Sequence, residues 1–282
     1  MSCGFFFDMQ KKHYRYLFGP VHSRRLGLSL GIDLLDRRRC SFDCVFCEVG
    51  ATELLTLERR EYVPTAAVMA EFREWLAASG TADVVTLAGS GEPTLHSGFG
   101  DVIDAVHAAC SLPVALLTNS TLLWDAEVRA AAARADIVKV SLSAWDDGSL
   151  AALNRPAAGL TFARLLDGLH AFRECYSGAL WVETLLVHGV NDKPDQVARI
   201  AALVAGLHPD KVQLNTVVRP PAVENTAAVE HDELQRLAVR FTPEAEVIAS
   251  HNSDSEGQRR QAAHVEELAR LVSRHGTAGK PH

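Results

Sequence analysis

From residue 28 onward, short runs rich in Val, Leu, Ile and Thr alternate with longer Ala- and Leu-rich stretches of helical periodicity. Few folds accept this pattern. A strand that must be followed by a helix before the next parallel strand builds a parallel sheet covered by helices. Six such units are read, with strands predicted at 28–35, 82–88, 113–118, 137–143, 181–188 and 211–217. Helices are predicted at 65–79, 98–110, 124–134, 161–176, 196–207 and 231–241. No Ser- or Gly-rich linker separates the units, so an α/β chain is expected to form one partial (β/α)6 TIM-like barrel over 28–242, its open side admitting a ligand. A basic extension over 1–27 precedes it. A strand at 246–249 and a charged amphipathic helix at 258–274 form an expected C-terminal extension over 243–275, and 276–282 read as a disordered tail.

The 282 residues suit one large α/β domain, and 48% hydrophobic with 22% charged residues is the balance of a packed globular chain. No apolar stretch approaches the roughly 20 residues of a membrane helix, and the N-terminus lacks a signal-peptide pattern, so a cytoplasmic protein without a membrane partner is expected. The net charge of −7 speaks against a surface that coats nucleic acid, but it is unevenly spread: residues 1–40 carry +5 and the remainder −12. The arginines of that segment are either a solvated face or an anion site.

Parallel α/β folds place their chemistry at the C-terminal ends of the strands. The loop after the first predicted strand holds Cys40, Cys44 and Cys47, a Cys-x3-Cys-x2-Cys spacing, whereas Cys3, Cys110 and Cys175 are scattered. This is no disulfide framework, and closely spaced thiolates suit zinc or an iron–sulfur cluster. A structural zinc site closes with four protein ligands, and no fourth follows at ligand spacing. A [4Fe–4S] cluster on three thiolates leaves one iron open for chemistry, and a purely electron-transferring cluster normally has four cysteines.

The cysteine spacing, with the aromatic Phe46 just before the last ligand, resembles the radical S-adenosylmethionine (SAM) superfamily, and the resemblance covers most of the chain. It implies the partial barrel of that superfamily and a [4Fe–4S] cluster on Cys40, Cys44 and Cys47. It also implies that the open iron chelates the amino and carboxylate groups of SAM. One electron, from a donor such as flavodoxin or ferredoxin, then releases a 5′-deoxyadenosyl radical that abstracts hydrogen from a substrate. Gly91-Glu92-Pro93 resembles the superfamily's Gly-Gly-Glu-Pro stretch, with Ser90 in place of the first glycine. Gly91 then lets the backbone approach the cofactor, and Glu92 accepts hydrogen bonds from the methionine ammonium.

Further cofactor-binding candidates lie at other strand ends. Asn119 contacts the cofactor or shapes its turn. Ser141 and Ser143 resemble fourth-strand residues that touch the ribose or carboxylate, with Ser143 favoured by its place nearer the strand end. Backbone-satisfied hydroxyls are the alternative. Glu183, inward among apolar neighbours, is either a ligand-binding group or the partner of Lys139 or an arginine. His188 reads as a turn residue.

The stretch from Gly19 to Asp33, with Glu61-Tyr62-Val63-Pro64, resembles a narrower group related to wyosine-forming tRNA synthases. Those synthases carry a second cluster on cysteines upstream of the radical motif, and here only Cys3 lies upstream. Hydrogen abstraction from an unidentified substrate is therefore the expected function, ahead of tRNA modification with RNA as partner and of a non-catalytic zinc or iron–sulfur module. Arg24, Arg25 and Arg219 are expected to hold an anionic substrate if the chain before Leu28 crosses the barrel mouth. Otherwise they bridge acids such as Asp33 or Glu183.

Overall fold

The computed structural model describes residues 13–23 and 25–249. In chain order the strands are β1 (Leu17–Ser23), β2 (Gly27–Ile32), β3 (Arg39–Cys40), β4 (Leu54–Leu55), β5 (Val84–Leu87), β6 (Val114–Thr118), β7 (Ile137–Ser141), β8 (Ala179–Leu186), β9 (Lys211–Thr216) and β10 (Glu246–Val247). The helices are α1 (Thr65–Ala77), α2 (Phe99–Ala109), α3 (Ala126–Ala132), α4 (Asp147–Asn154), α5 (Phe162–Cys175), α6 (Pro194–Ala205) and α7 (His231–Ala238).

The six predicted strands form β2 and β5 to β9, parallel and adjacent in chain order. β1 lies antiparallel to β2 on one edge and β10 parallel to β9 on the other, so the barrel is partial. The alternation of strand side chains sorts the two faces. Leu30, Ile32, Val85, Leu87, Leu116, Val138, Val140 and Val182 belong to the buried apolar core. The other face carries polar groups, such as Ser29 and Thr86, whose hydroxyls pair at 2.6 Å. Helix α5 shows how the outer layer is held, since its buried Phe162, Leu165, Leu169 and Phe172 recur every three or four residues. No helix among the described residues is long and apolar enough to cross a membrane.

Three features depart from the sequence expectation. β1 falls within the segment expected as an N-terminal extension, yet it joins the sheet. Its pairing with β2 shifts register between Phe18 and Val21, around Gly19-Pro20, which breaks the alternation that would have revealed a strand. Helix α4 has eight residues, too short for a periodic signal, but it is fixed by reciprocal capping between Asp146 and Ser149. The paired β3 and β4 frame the cysteine loop. The late strand appears as β10, while the helix expected at 258–274, the tail, Cys3 and Arg24 lie outside the described residues.

Candidate active site

The cysteine loop begins at the end of β3 and is strapped to the C-terminal end of α4. Asp43 N–H donates to the Asn154 carbonyl at 2.9 Å, and Val45 N–H donates to the Leu153 carbonyl at 2.9 Å. Ser41, fully buried, pairs its hydroxyl with that of Thr121 at 2.5 Å. These contacts turn the three thiols toward one cavity of about 230 Å³, whose wall also includes Phe46, Gly91, Glu92, Asn119 and Ser143. The loop after β3 and the ends of β5, β6 and β7 thus converge as the parallel topology requires.

Two side-chain amides point at cysteine sulfur. Asn119 Nδ2 donates to Cys40 Sγ at 3.3 Å, and Asn154 Nδ2 donates to Cys44 Sγ at 3.2 Å. Donors of this kind stabilise thiolate, the form that ligates metal. Burial works in the opposite direction. It pushes the Cys40 thiol up to about 12, with the nearby Glu92 carboxylate adding to the effect, and it raises Cys44 and Cys47 as well. The thiols therefore keep their protons until a cationic centre displaces them. Among the described residues no three His, Cys, Asp or Glu side chains are grouped as a single metal ion requires. Three cysteine thiols that line one cavity are the donor set through which a protein holds a [4Fe–4S] cluster with one iron left open.

Gly91 and Glu92 join the cysteine loop to the barrel. A Cβ on Gly91 would lie 1.7 Å from the Arg39 carbonyl oxygen, so only glycine lets the backbone after β5 pass the residue preceding Cys40. Glu92 N–H then donates to that same carbonyl at 3.1 Å. Ser90, which departs from the family stretch, has its own anchor: its Oγ donates to Asp33 Oδ2 at 2.8 Å. Gly89, at φ +150°, leaves room for that Asp33 carboxylate, which a Cβ would meet at 2.4 Å.

The Glu92 carboxylate is buried, and Oε1 accepts from Thr94 N–H at 3.1 Å, Thr94 Oγ at 2.6 Å and Thr118 Oγ at 2.7 Å. Among the described residues, Oε2 accepts only from Asn119 N–H at 2.7 Å. A carboxylate has about four acceptor directions, shared between two oxygens, so Oε2 retains capacity for one more donor, and Glu92 lines the cavity. Burial raises the Glu92 carboxyl above its ordinary value, and the hydrogen bonds oppose that rise. A cation on Oε2 would complete the set.

The remaining candidates divide. Asn119 is both a sulfur donor and a turn former, since its Oδ1 accepts from Thr121 N–H at 3.1 Å. Ser143 lines the cavity, yet its hydroxyl accepts from Leu185 N–H at 2.9 Å, so the backbone already occupies one acceptor position. Glu183 does not line the cavity. It accepts from Arg25 at 2.7 Å, from Asn215 at 2.9 Å and from Lys139, the ion-pair partnership that was one of its two expected roles. Burial alone would raise its carboxyl, but Arg25 and Lys139 hold it well below the usual value.

Of the three arginines expected at an anion-binding rim, Arg24 lies outside the described residues, and Arg25 and Arg219 sit in separate ion pairs. The turn containing Arg25 joins β1 to β2 at the N-terminal end of the parallel strands, so Arg25 enters the lumen opposite the mouth. Arg219 pairs with Glu48, the residue after Cys47, and so ties the loop beyond β9 to the cysteine loop. His188 pairs with Asp192 across its turn at 2.8 Å. Sequence reasoning missed Asn154, whose bond to Cys44 spans 110 residues and belongs to no motif. It also missed Thr94 and Thr118 as supports of Glu92. The adjacency of Thr118 to Asn119 at a strand end was their only signal.

Comparison with known proteins agrees with this arrangement. The family model described as the Radical SAM superfamily matches residues 36–201. A UPF0026 protein of Synechocystis is 36% identical over 210 residues, covering 74% of this chain and 77% of that protein. A Brachyspira hyodysenteriae protein named GTPase Obg is 32% identical over 225 residues, covering 80% of this chain, which spans only 33% of that relative's length. A UPF0026 protein of Methanocaldococcus jannaschii is 34% identical over 207 residues, 73% of this chain and 64% of its own length. Among solved structures, TYW1 with a lysine-pyruvate adduct superposes with TM-score 0.59 at 15% identity, over 84% of this chain and 79% of that one. A radical SAM methyltransferase from Sphaerobacter thermophilus gives TM-score 0.60 at 18% identity, over 79% and 67%. At these identities the structural likeness speaks to the fold.

Proposed function

Because this chain belongs to the radical SAM superfamily, a group of enzymes that use a [4Fe–4S] cluster and SAM, we propose that it cleaves SAM reductively and abstracts hydrogen from a substrate held in the barrel lumen. The observation that carries this reading is the meeting of the three thiols, two sulfur-directed amides and the half-free Glu92 carboxylate around one cavity. When bound, the cluster supplies the single electron that starts radical chemistry on SAM.

The chain's own residues have separable tasks. Cys40, Cys44 and Cys47 hold the cluster, and Asn119 and Asn154 stabilise the sulfur charge that ligation creates. Glu92 Oε2 takes the methionine ammonium, while Gly91 keeps the path between β5 and the cysteine loop narrow. Phe46 and the apolar wall limit water around the reacting groups. A one-electron donor such as flavodoxin or ferredoxin completes the system. The test is incubation of the anaerobically reconstituted protein with SAM and a low-potential reductant. Formation of 5′-deoxyadenosine and methionine is expected, and an iron-loaded protein that forms neither refutes the reading.

A further inference from the structure

Beyond the cysteine side of the lumen, strand register places Ser141, Glu183 and Gln213 side by side on β7, β8 and β9. Asn215 shares the inward face of β9 with Gln213 by alternation. The Glu183 carboxylate gathers Lys139, Arg25 and Asn215 around it. Among the described residues, two cations against one carboxylate leave this buried group with one positive charge in excess. Gln213 is fully buried, and among the described residues neither its amide nitrogen nor its amide oxygen has a hydrogen-bond partner. The same is true of the buried Arg25 Nε.

Buried polar groups without a protein partner are costly, and several of them beside an excess charge favour a ligand that pairs with them. What is missing is one negative charge, acceptors for Arg25 Nε and the Gln213 amide nitrogen, and one donor for the Gln213 oxygen. An oxyanion beside a hydroxyl or amino group supplies all of these. The set also communicates with the cofactor cavity, whose wall includes Lys139 and Ser141. At the mouth, Arg219 and Glu48 neutralise each other and leave the excess charge unchanged.

We propose that Lys139, Arg25 and Gln213 form the substrate pocket, and that the substrate is a small molecule bearing a carboxylate or phosphate next to a hydroxyl or amino group. The oxyanion sits against Lys139 and Arg25, and the neighbouring group pairs with the Gln213 amide. Calling the ligand a substrate rests on the radical reading above, whereas the oxyanion site itself does not.

The test uses the full chain and two probes, sodium acetate and inorganic phosphate, each against sodium chloride at matched ionic strength. Thermal stability and calorimetric binding are read. The wild type is expected to bind at least one probe with a rise in Tm that chloride does not give. An acetate response assigns a carboxylate, and a phosphate response assigns a phosphate. Gln213→Leu removes the orphaned amide, so the free protein should be as stable as wild type or more so while probe binding weakens about tenfold or more. Gln213→Glu supplies the missing negative charge from the protein and should abolish the response, which keeps the test decisive if the leucine variant misfolds. A wild type that responds to neither probe, or either folded variant that keeps the wild-type response, overturns the proposal. SAM cleavage by the wild type, assayed in parallel, separates the two claims. Cleavage without probe binding refutes the pocket alone, and probe binding by an iron-loaded chain that does not cleave SAM refutes the radical reading alone.

Discussion

Replacing Glu183 by glutamine tests whether the ion-pair cluster in the lumen is as tightly coupled as its geometry implies. The substitution keeps the shape but removes the charge shared by Arg25 at 2.7 Å and by Lys139, both largely buried. Breaking one side of a buried pair costs about 3–5 kcal/mol, because the partner is left charged without compensation. Lys139 can relieve part of this by releasing its proton, since burial already lowers its pKa from 10.5, whereas arginine cannot. The lower end, about 3 kcal/mol, is therefore expected, and it corresponds to a fall in Tm of roughly 6–12 °C for a domain of this size. The pH dependence gives a second signature. The wild-type Glu183 pKa lies below its ordinary 4.5, so its contribution is complete above that value and is lost as pH falls through the depressed folded-state pKa. The stability curves of wild type and Glu183→Gln should converge on acidification below 4.5. Lys139 adds the opposite limb: between its lowered pKa and 10.5 the folded chain binds fewer protons than the unfolded one, so the variant should gain stability as pH rises there. Thermal denaturation followed by circular dichroism across this range is the assay. A variant within about 1 kcal/mol of wild type at neutral pH, with a parallel acid limb, would refute the coupling.

Gly91→Ala should shift the Arg39–Cys40 strand, because the new methyl would lie 1.7 Å from a backbone oxygen, and overpacking of this kind costs about 1–3 kcal/mol or more. The expected result is a lower Tm together with reduced iron loading, measured on the same preparation. Glu92→Ala should retain iron but weaken SAM binding by about one to two decades, the loss of a charge-assisted contact worth roughly 1.5–3 kcal/mol. Titration of the reduced protein by electron paramagnetic resonance reads this, and an unchanged Kd would confine Glu92 to bracing Thr94, Thr118 and Asn119. Cys110→Ala and Cys175→Ala should load iron as wild type does, since neither residue lines the cysteine cavity; elemental analysis checks them.

The barrel strands were legible because each combines a short apolar run with flanking turn residues, and a parallel strand buried on one face by helices needs that composition. The cysteine triplet was equally plain, since local spacing alone defines it. Glu92 and Asn119 could be placed at strand ends, but their division of labour could not be read. Which oxygen Thr118 occupies depends on the pairing of β5 with β6, a long-range property. β1 was hidden by a bulge at Gly19-Pro20, and α4 by its eight-residue length, so Asn154 was hidden with it. For Glu183 the sequence left two roles open. The ion pair itself was not legible, because it depends on the β1–β2 turn bringing Arg25 to β8, separated from it by 158 residues.

The measurement that bears most directly on the account is the metal content of the anaerobically reconstituted chain, beside variants in which Cys40, Cys44 or Cys47 is replaced by alanine. The account predicts a brown, oxygen-sensitive wild type with about four iron and four sulfide per chain, and no cluster in any of the three variants. Zinc at unit stoichiometry with no iron uptake, or a full cluster that survives loss of one of these cysteines, would contradict it.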